Sequence, residues 1–322
     1  IAVIAILLSA VLISMLTSAA ASAQDESAQR VLSAGGVKGG VIVHLGCGDG
    51  KLITELGADE RYIVHGLDVD ADDVAEARAR IVAAGLTGRV TASHCDGRRL
   101  PYIDNLVNLL IARILGDLTA SEIQRVLCPY GVALIHRNGR WTKEVKPRPQ
   151  EIDEWSHDLH DPQGTMVSSD EVVGLPRRLQ WVGGPKWMRN HDFMVSLSGM
   201  VSSGGRVFYI VDEGLRYHIY LPARWTLVAR DAFNGTILWK RPIAEWFPHT
   251  WPFKSGPSDL PRRLVADGER LYVTMGINAP VSVLDAATGK TIRTYEDTRG
   301  AEEIVLDGGV LYLLVDSEKA PF

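Results

Sequence analysis

The sequence predicts two structural classes in one chain, an α/β unit with a parallel sheet followed by an all-β unit. Short apolar runs alternate with helical patterns over residues 31–140, which is typical of βαβ units. A loop with glycine at alternate positions, Gly46, Gly48 and Gly50, follows the first of these runs. From residue 195 onward, helical periodicity gives way to short alternating strands separated by glycine turns.

The first elements of the α/β unit are the most regular. Residues 41–45 and 62–67 are short apolar runs that predict buried strands. A helix is predicted between Asp70, which serves as its N-cap, and Gly85, which lies beyond its end. Its buried face is predicted from apolar residues at helical spacing, namely Val74, Ala77, Ile81 and Ala84.

The remaining elements complete the same alternation. Residues 89–94 and 106–111 predict a third and a fourth strand. The run from Thr119 to Glu122 is a capping box that opens the next helix. Residues 129–131, Pro-Tyr-Gly, are expected to break that helix before a strand over 132–135. A parallel sheet of this kind binds its ligand at the carboxyl ends of the strands.

The glycine loop points to a nucleotide-type cofactor. Glycines let the backbone approach a ligand closely, and the carboxylate of Asp68, 22 residues after Gly46, is placed to accept hydrogen bonds from ribose hydroxyls. The spacing is G-x-G-x-G and not the G-x-G-x-x-G of dinucleotide sites. This difference favours S-adenosylmethionine over a dinucleotide.

Four segments in order, residues 44–50, 66–70, 94–97 and 123–131, resemble motifs of the class I S-adenosylmethionine-dependent methyltransferases. The resemblance implies a Rossmann-like α/β domain over residues 31–140 with a trimmed methyltransferase sheet. It also implies S-adenosylmethionine as the cofactor. The residues that the resemblance assigns to the cofactor site are His44, Gly46, Cys47, Gly48, Gly50, Asp68, Val69, Asp96 and Gly97.

By the same resemblance the loop glycines cradle the methionine and ribose portion, Asp68 holds the ribose diol, and Asp96 faces the adenine edge. The sequence departs from the family where His44 stands in place of an acidic residue. No catalytic signature follows the fourth strand, so no catalytic residue is assigned. An active transferase, a weak binder and a fold retained for structure therefore remain open. His44 itself is read as a strand-end histidine rather than as a catalytic base.

The second half contains a partial repeat. Gly205, Gly268 and Gly309 each precede an alternating strand, and residues 231–235 match residues 285–289 as Asp-Ala-x-x-Gly turns. This pattern resembles the repeat of pyrroloquinoline-quinone (PQQ) propellers, with a tryptophan or its equivalent packed between blades. The resemblance implies an incomplete all-β propeller.

We assign residues 195–322 to about two blades and part of a third, and residues 141–194 to a linker and propeller lead-in. A closed ring needs at least about four blades, so further blades are expected outside this sequence. The quinone itself is not expected, because its chemistry needs a calcium site and acid/base residues that this sequence does not reveal.

The amino terminus predicts export. Residues 1–23 are apolar or small and end in Ala-Ser-Ala, a signal-peptide cleavage pattern, although the initiating Met and basic region of such a peptide are lacking. The alternative is an uncleaved membrane anchor. The protein is therefore expected outside the cytoplasm, periplasmic or extracellular, and at a membrane only if this segment is retained.

Composition adds two expectations. The net charge of -5 gives no reason to expect a nucleic-acid partner. Three cysteines without CxxC or zinc spacing predict neither a disulfide framework nor a metal site. A polar segment with His157 and His160, Asp158 and Asp161, together with the distant His191, offers metal-ligand chemistry, but we interpret it as a structural loop.

The leading functional hypothesis is a methyltransferase-like protein that transfers a methyl group to an unknown acceptor. The alternative is a non-catalytic exported binding or scaffold protein whose propeller presents a protein- or ligand-binding surface. A PQQ-dependent oxidoreductase is the third hypothesis. The apparent export signal opposes the first, because S-adenosylmethionine is made in the cytosol.

Overall fold

The computed structural model describes residues 27–113, 116–172, 174–175, 179–184, 196–215, 217, 221–247 and 258–316. The predicted signal peptide lies outside the described residues. None of the helices in those ranges has the length and hydropathy that a membrane crossing requires.

The α/β part is a six-stranded sheet in the order β3-β2-β1-β4-β5-β6. Its first five strands are parallel, and β6 is antiparallel to β5. The strands are β1 Gly40–Leu45, β2 Tyr62–Asp68, β3 Val90–His94, β4 Val107–Ala112, β5 Leu127–Arg137 and β6 Arg140–Val145. The four predicted strands before β5 are confirmed, and their order places the topological switch point between β1 and β4.

Four helices accompany this sheet: α1 Ala28–Gly35, α2 Lys51–Leu56, α3 Ala71–Ala83 and α4 Ala120–Val126. The predicted caps are confirmed, because the side chain of Asp70 accepts from the N–H of Asp72 and that of Thr119 accepts from the N–H of Glu122. The prediction for Ala84 is wrong. It is exposed just beyond the end of α3, where the chain turns away from the sheet.

The predicted break at Pro-Tyr-Gly, residues 129–131, is also wrong. Helix α4 ends earlier, at Val126, and residues 129–131 lie inside β5. The pairing with β4 shifts there, since Val107 pairs with Leu127 whereas Leu109 pairs with Val132. The three residues form a bulge-like irregularity in a continuous strand, which bends the chain without ending it.

Strand β6 was not predicted. Its sequence, Arg-Trp-Thr-Lys-Glu-Val, has no alternating apolar pattern, and five of its six residues are exposed. It forms the edge of the sheet and reaches Val145, beyond the limit of 140 that the sequence indicated. Helix α1 likewise begins at Ala28, before the limit of 31.

Two apolar clusters cover the two faces of this sheet. One packs α1, α2 and α3 against the sheet through residues such as Ile53, Leu56 and Ile81. The other packs α4 and the 100–106 segment against it through residues such as Leu110 and Ile123. Each fully buried Leu or Ile in these layers contributes about 1.5–3 kcal/mol of transfer free energy, which stabilises the sheet that carries the glycine loop.

The all-β part consists of two four-stranded antiparallel sheets and a hairpin. The first sheet contains β7 Leu197–Ser203, β8 Arg206–Asp212, β9 Trp225–Asp231 and β10 Ile237–Pro242. The second contains β11 Leu264–Asp267, β12 Arg270–Thr274, β13 Val281–Asp285 and β14 Thr291–Tyr295, and the hairpin is β15 Ala301–Asp307 with β16 Val310–Val315. Each unit shares an apolar cluster with the next one.

The predicted alignment of the repeat placed Gly205 and Gly309 opposite Gly268, but in the structure the equivalent turn positions lie one residue earlier in those two units. Gly204, Gly268 and Gly308 have φ angles of 60°, 53° and 55°, so these three positions correspond. The predicted tryptophan packing is present: the Trp239 indole donates to the carbonyl of Ala286 at 2.9 Å, in the turn of the next sheet. The Trp181 indole makes the same bond to Ala232 at 2.9 Å, in the turn of the first sheet.

The lead-in segment crosses the edges of three successive units. The carbonyl of Trp155 accepts from the N–H of Ser202 at 2.7 Å, and that of Ser156 from the N–H of Ala266 at 3.0 Å. Next along the segment, Nε2 of His157 accepts from the N–H of Leu306 at 3.1 Å. The three donors lie two residues before the three equivalent turn glycines. One extended segment therefore satisfies the same edge position in each unit.

Candidate functional site

A cavity of about 180 Å³ lies at the carboxyl ends of strands β1 to β4, where the switch point of the sheet places a ligand site. Its wall is mainly apolar and contains glycines from three loops, those after β1, β3 and β4. The lining residues are Leu45, Gly46, Leu67, Asp68, Val69, Cys95, Gly97, Gly116 and Leu118. Of the nine residues assigned from sequence, four lie on this wall: Gly46, Asp68, Val69 and Gly97.

The three glycines of the first loop have different roles. All have positive φ, 75° for Gly46, 51° for Gly48 and 79° for Gly50, a region that side chains disfavour. A Cβ on Gly46 or Gly48 would meet nothing within 4 Å, whereas one on Gly50 would lie 2.7 Å from Cα of Ala77 in α3. Gly50 therefore allows helix packing, while the other two leave open space beside the backbone.

Asp68 connects the glycine loop to the end of β2. Its carboxylate is buried, with Oδ2 accepting from the N–H of Gly48 at 2.9 Å and Oδ1 from the N–H of Asp70 at 3.1 Å. Each carboxylate oxygen has two acceptor positions, so both retain capacity for the hydroxyls of a ligand. The arrangement provides a fixed acceptor in an otherwise apolar cavity.

The loop is also held from α3 by Arg80, a residue that sequence reasoning missed. The guanidinium pairs with Asp49 at 2.7 Å between Nη2 and Oδ2, and its Nε donates to the Asp49 carbonyl at 2.8 Å. The other Asp49 oxygen accepts from the N–H of Lys51 at 3.0 Å. Asp49 is thus a turn residue, and Arg80 positions the loop without contacting the cavity.

Cys47 and His44 are buried behind the loop and are absent from the cavity wall. Cys47 packs against Gly66, where an added Cβ would lie 2.9 Å from its sulfur. Burial, together with the charge of Asp68, raises the pKa of the Cys47 thiol to about 12, so it stays protonated and is a poor nucleophile. His44 is 3 % exposed and lies in β1 between Gly66 of β2 and Ile111 of β4.

The third motif, residues 94–97, reaches the cavity wall through residues other than the carboxylate of Asp96. Gly97, with φ of 71°, and Cys95 lie on the cavity wall, whereas Asp96 is exposed outside it. The Asp96 carboxylate accepts from the N–H of Arg98 at 3.0 Å, and this bond lowers its pKa. In this conformation Asp96 does not face the cavity.

The wall residues that the sequence did not identify come from strand ends and from the loop after β4. A Cβ on Gly116 would lie 3.5 Å from the carbonyl of Gly97, so the loops after β3 and β4 approach each other and narrow the cavity. Leu118 adds an apolar side chain from the same loop. These residues could have been predicted only from the rule that ligands bind beyond the carboxyl ends of parallel strands.

Arg125, within the fourth motif, fixes the segment between β3 and β4. Its guanidinium donates to the carbonyl of Tyr102 at 2.7 Å and pairs with Asp104 at 2.8 Å and Glu122 at 2.7 Å. Glu122 also accepts from the N–H of Leu100 at 2.8 Å. Its carboxylate therefore holds the 100–104 segment instead of completing the predicted capping box.

The polar lead-in segment forms a hydrogen-bonded loop. Nε2 of His160 lies 2.7 Å from Oδ2 of Asp153, and Nδ1 lies 2.9 Å from the hydroxyl of Thr165. Burial alone would raise the pKa of Asp153, but bonds from backbone N–H groups, His160 and Ser168 outweigh it and lower the pKa. Within the ranges that the structure describes, no three His, Cys, Asp or Glu side chains are grouped as metal ligands. His191 lies outside them.

The model of a family described as a methyltransferase domain matches residues 42–131. This stretch contains the glycine loop, Asp68 and the strands that form the cavity. The match covers less than half of the chain, and it identifies residues 42–131 as a methyltransferase-like domain. That part of the sequence prediction is confirmed.

Solved structures of methyltransferases are similar to this chain over about a third of its length. A putative S-adenosyl-L-methionine-dependent methyltransferase from Methanococcus maripaludis is 23% identical over 35% of this chain and 55% of its own, with a TM-score of 0.32. An S-adenosylmethionine-dependent methyltransferase from Aquifex aeolicus is 23% identical over 34% of this chain and 62% of its own, with a TM-score of 0.31. Geranyl diphosphate C-methyltransferase from Streptomyces coelicolor is 18% identical over 34% of this chain and 43% of its own, with a TM-score of 0.31. The chain spans about half the length of these proteins.

Proposed function

We propose that the α/β domain binds S-adenosylmethionine in the cavity at the carboxyl ends of β1 to β4. The observation that carries this proposal is the Asp68 carboxylate, fixed by the N–H of Gly48 at 2.9 Å at the edge of an apolar cavity. The methyltransferase family match over residues 42–131 supports the same cofactor class.

The residues present fit the chemical groups of this cofactor. Leu67, Val69 and Leu118 offer apolar surface for an adenine ring, and Asp68 offers acceptors for a ribose diol. Gly46 and Gly48 leave open space beside the loop for the remainder of the molecule. When bound, the cofactor supplies a methyl group on a sulfonium centre. The chain's residues would bind and orient it at the mouth formed by the loops after β3 and β4.

Transfer to an unknown acceptor is the enzymatic form of this proposal. Asp68 and Cys95 are the ionisable side chains on the cavity wall, and the Asp68 oxygens already accept two backbone hydrogen bonds. Among the described residues of this wall, Asp68 is committed to the loop and to the cofactor, so we assign no general base there. The acceptor must bring a nucleophile that needs little activation, and proximity and orientation would supply most of the rate enhancement.

A second candidate function is binding without turnover. It is favoured by the same scarcity of acid/base groups at the cavity and by the attachment of the domain to the first β-sheet. In this form the β-sheets, which we propose to be part of a quinoprotein-like propeller in an exported protein, present the surface that contacts a partner. Assay of methyl transfer to a panel of acceptors, with cofactor binding measured in parallel, separates the two candidates.

Calorimetric titration of S-adenosylmethionine and S-adenosylhomocysteine into the whole chain tests the cofactor proposal. We expect saturable binding that Asp68→Asn weakens about 10-fold or more, because hydrogen bonds to a charged group are worth about 1.5–3 kcal/mol. Asp72→Asn, on the exposed first turn of α3, is the matched control and should leave affinity within about twofold. Equal affinity of the Asp68 variant and the wild type would overturn the proposal.

A further inference from the structure

A second and larger cavity lies at the opposite end of the parallel sheet. This interdomain cleft has a volume of about 330 Å³ and is bounded by the amino ends of β1 and β4, by β6 and by the first β-sheet. Gly39 and Asn108 mark its wall on the α/β side, and Gly205 and Phe233 mark it on the other side. Small-molecule sites often lie at such domain interfaces and occupy about 300–1,000 Å³.

Buried polar contacts fix the two walls relative to each other. Asn108 is 9 % exposed, and its amide donates to Oδ2 of Asp231 at 2.7 Å across the interface. The Asn234 amide donates to the carbonyl of Leu106 at 3.0 Å and to Oδ1 of Asn108 at 2.7 Å. The same Asn108 oxygen accepts from the N–H of Val41 at 2.7 Å. The cleft is therefore preformed, and its floor is already hydrogen-bonded.

A comparison of the two Asp-Ala-x-x-Gly turns shows which residues adapt the first turn to this interface. In the second turn the Thr288 hydroxyl bonds back to Asp285 at 2.7 Å, and the preceding residue is Ala287. In the first turn these positions are Asn234, which bonds to the α/β domain, and Phe233, which lines the cleft. The fold of the turn needs neither residue, since the second turn forms without them.

The α/β wall is basic and rich in glycine. Residues 35–40 read Gly-Gly-Val-Lys-Gly-Gly, and the exposed Lys38 lies on the cleft. Nζ of Lys143 donates to the carbonyl of Ala34 at 3.0 Å, which leaves two further N–H donors on the ammonium. Arg206, from the other wall, pairs with Glu269 at 3.0 Å and is thereby partly neutralised. Lys38 and Lys143 are the cations with capacity for an anionic ligand.

Two aromatic rings lie beside the same glycine. An added Cβ on Gly205 would lie 3.2 Å from Cε2 of Phe233 and 3.5 Å from Cδ2 of Tyr130. Tyr130 has a φ of 66°, a region that bulky residues rarely occupy, and the residue is 49 % exposed. An exposed tyrosine in this conformation, next to a phenylalanine, provides apolar surface on which a flat ring can stack.

We propose that the interdomain cleft binds a small aromatic anion, a flat ring that carries a phosphate or carboxylate group. The ring lies against Tyr130 and Phe233, and the anionic group is bound by Lys38 and Lys143. Asp231, on the floor, accepts hydrogen bonds from the Asn108 amide and from the N–H groups of Phe233 and Asn234. This site is at the opposite end of the sheet from the cofactor cavity and does not depend on the function proposed there.

Titration of phenyl phosphate and of benzoate into the whole chain, followed by amide NMR, tests the site. Inorganic phosphate and phenol, which each represent one part of phenyl phosphate, are titrated as controls. We expect saturable shifts at Lys38, Phe233 and Gly205 with at least one of the two aromatic anions, and weaker binding of either half. The anion that binds more tightly identifies the phosphate or the carboxylate as the preferred group.

Lys38→Met and Lys143→Met should each weaken this binding about 5-fold or more. Lys290→Met, in the exposed turn of the second sheet, is the matched control and should change it less than about twofold. The amide spectrum of each variant establishes that it is folded. Absence of saturable binding by both aromatic anions, or equal loss in the Lys290 variant, would overturn the proposal whether or not S-adenosylmethionine binds.

Discussion

Two glycine loops stand at opposite ends of the same parallel strands, and they differ in chemistry. The loop of residues 46–50, at the carboxyl end, surrounds an apolar cavity whose fixed polar group is the Asp68 carboxylate. The loop of residues 35–40, at the amino end, brings Lys38 to a basic cleft against the first β-sheet. Glycine content alone therefore does not define a ligand. The charged groups around the loop determine which chemistry each end can bind.

The largest expected effect is at Gly50, where the carboxyl-end loop meets α3. Gly50→Val places a β-branched side chain at φ of 79°, with its Cβ 2.7 Å from Cα of Ala77. Backbone strain and the clash together should lower the free energy of unfolding by about 3 kcal/mol or more. Gly46→Val has the same φ problem without the clash, so urea denaturation should show a clearly smaller loss. Equal losses would mean that α3 does not pack on the loop as described.

The next effect concerns the attachment of the amino end to the first β-sheet. Asn108→Leu removes the donor to Asp231 and the acceptor for Asn234. Buried polar groups without partners cost about 1–3 kcal/mol each, so unfolding should become easier by about 2–4 kcal/mol. Native-state hydrogen exchange should show faster exchange at Val41 and Asn234. Thr142→Val, on the exposed strand β6, serves as control.

The buried Asp231 also makes the amino end sensitive to pH. Burial raises its pKa above the ordinary value of 3.8, an effect that bonds from Asn108 and nearby N–H groups reduce. Its contribution to stability is therefore fully present below about pH 3.8 and is lost as pH rises through the folded pKa. The unfolding free energy of the wild type minus that of Asp231→Asn should therefore decrease from pH 3 to pH 7. A constant difference would contradict this account.

The smallest effect is expected at Arg80, which supports the carboxyl-end loop from outside. The side chains of Arg80 and Asp49 are 41 % and 46 % exposed, so Arg80→Met should cost less than about 1 kcal/mol in stability. Because the loop loses its anchor, affinity for S-adenosylhomocysteine should fall about threefold. Arg78→Met, which removes a bond to the carbonyl of Ala92 instead, is the matched control. A larger loss with the Arg78 variant would remove Arg80 from its positioning role.

The sequence was informative where periodicity and a local motif both act. Strands β1 to β4, the caps Asp70 and Thr119, and the place of Asp68 beside the glycine loop follow from neighbouring residues. Strand β6 was not predictable, because its side chains are mostly exposed and, among the described strands, it pairs with β5 alone. The sequence around Pro129 signalled a break, but pairing with β4 on both sides keeps the strand continuous.

The cavity wall and the interdomain cleft were predictable to different degrees. Residues within the motifs could be assigned, but Gly116 and Leu118 reach the wall through the approach of two loops, which no local pattern encodes. The role of Phe233 depends on contact between parts of the chain about 100 residues apart, including Tyr130. Comparison of the two Asp-Ala-x-x-Gly turns could have identified Phe233, because the equivalent residue in the second turn is Ala287.

The most direct test of the central claim is to map S-adenosylhomocysteine on the whole chain by amide NMR. The account predicts saturable shifts at Gly46, Val69 and Gly97, at the carboxyl ends of the strands, and unchanged signals at Lys38 and Gly205. Saturable shifts at Lys38 and Gly205 with none at Gly46 would contradict it. That result would place the cofactor in the interdomain cleft and leave the glycine loop as a structural turn.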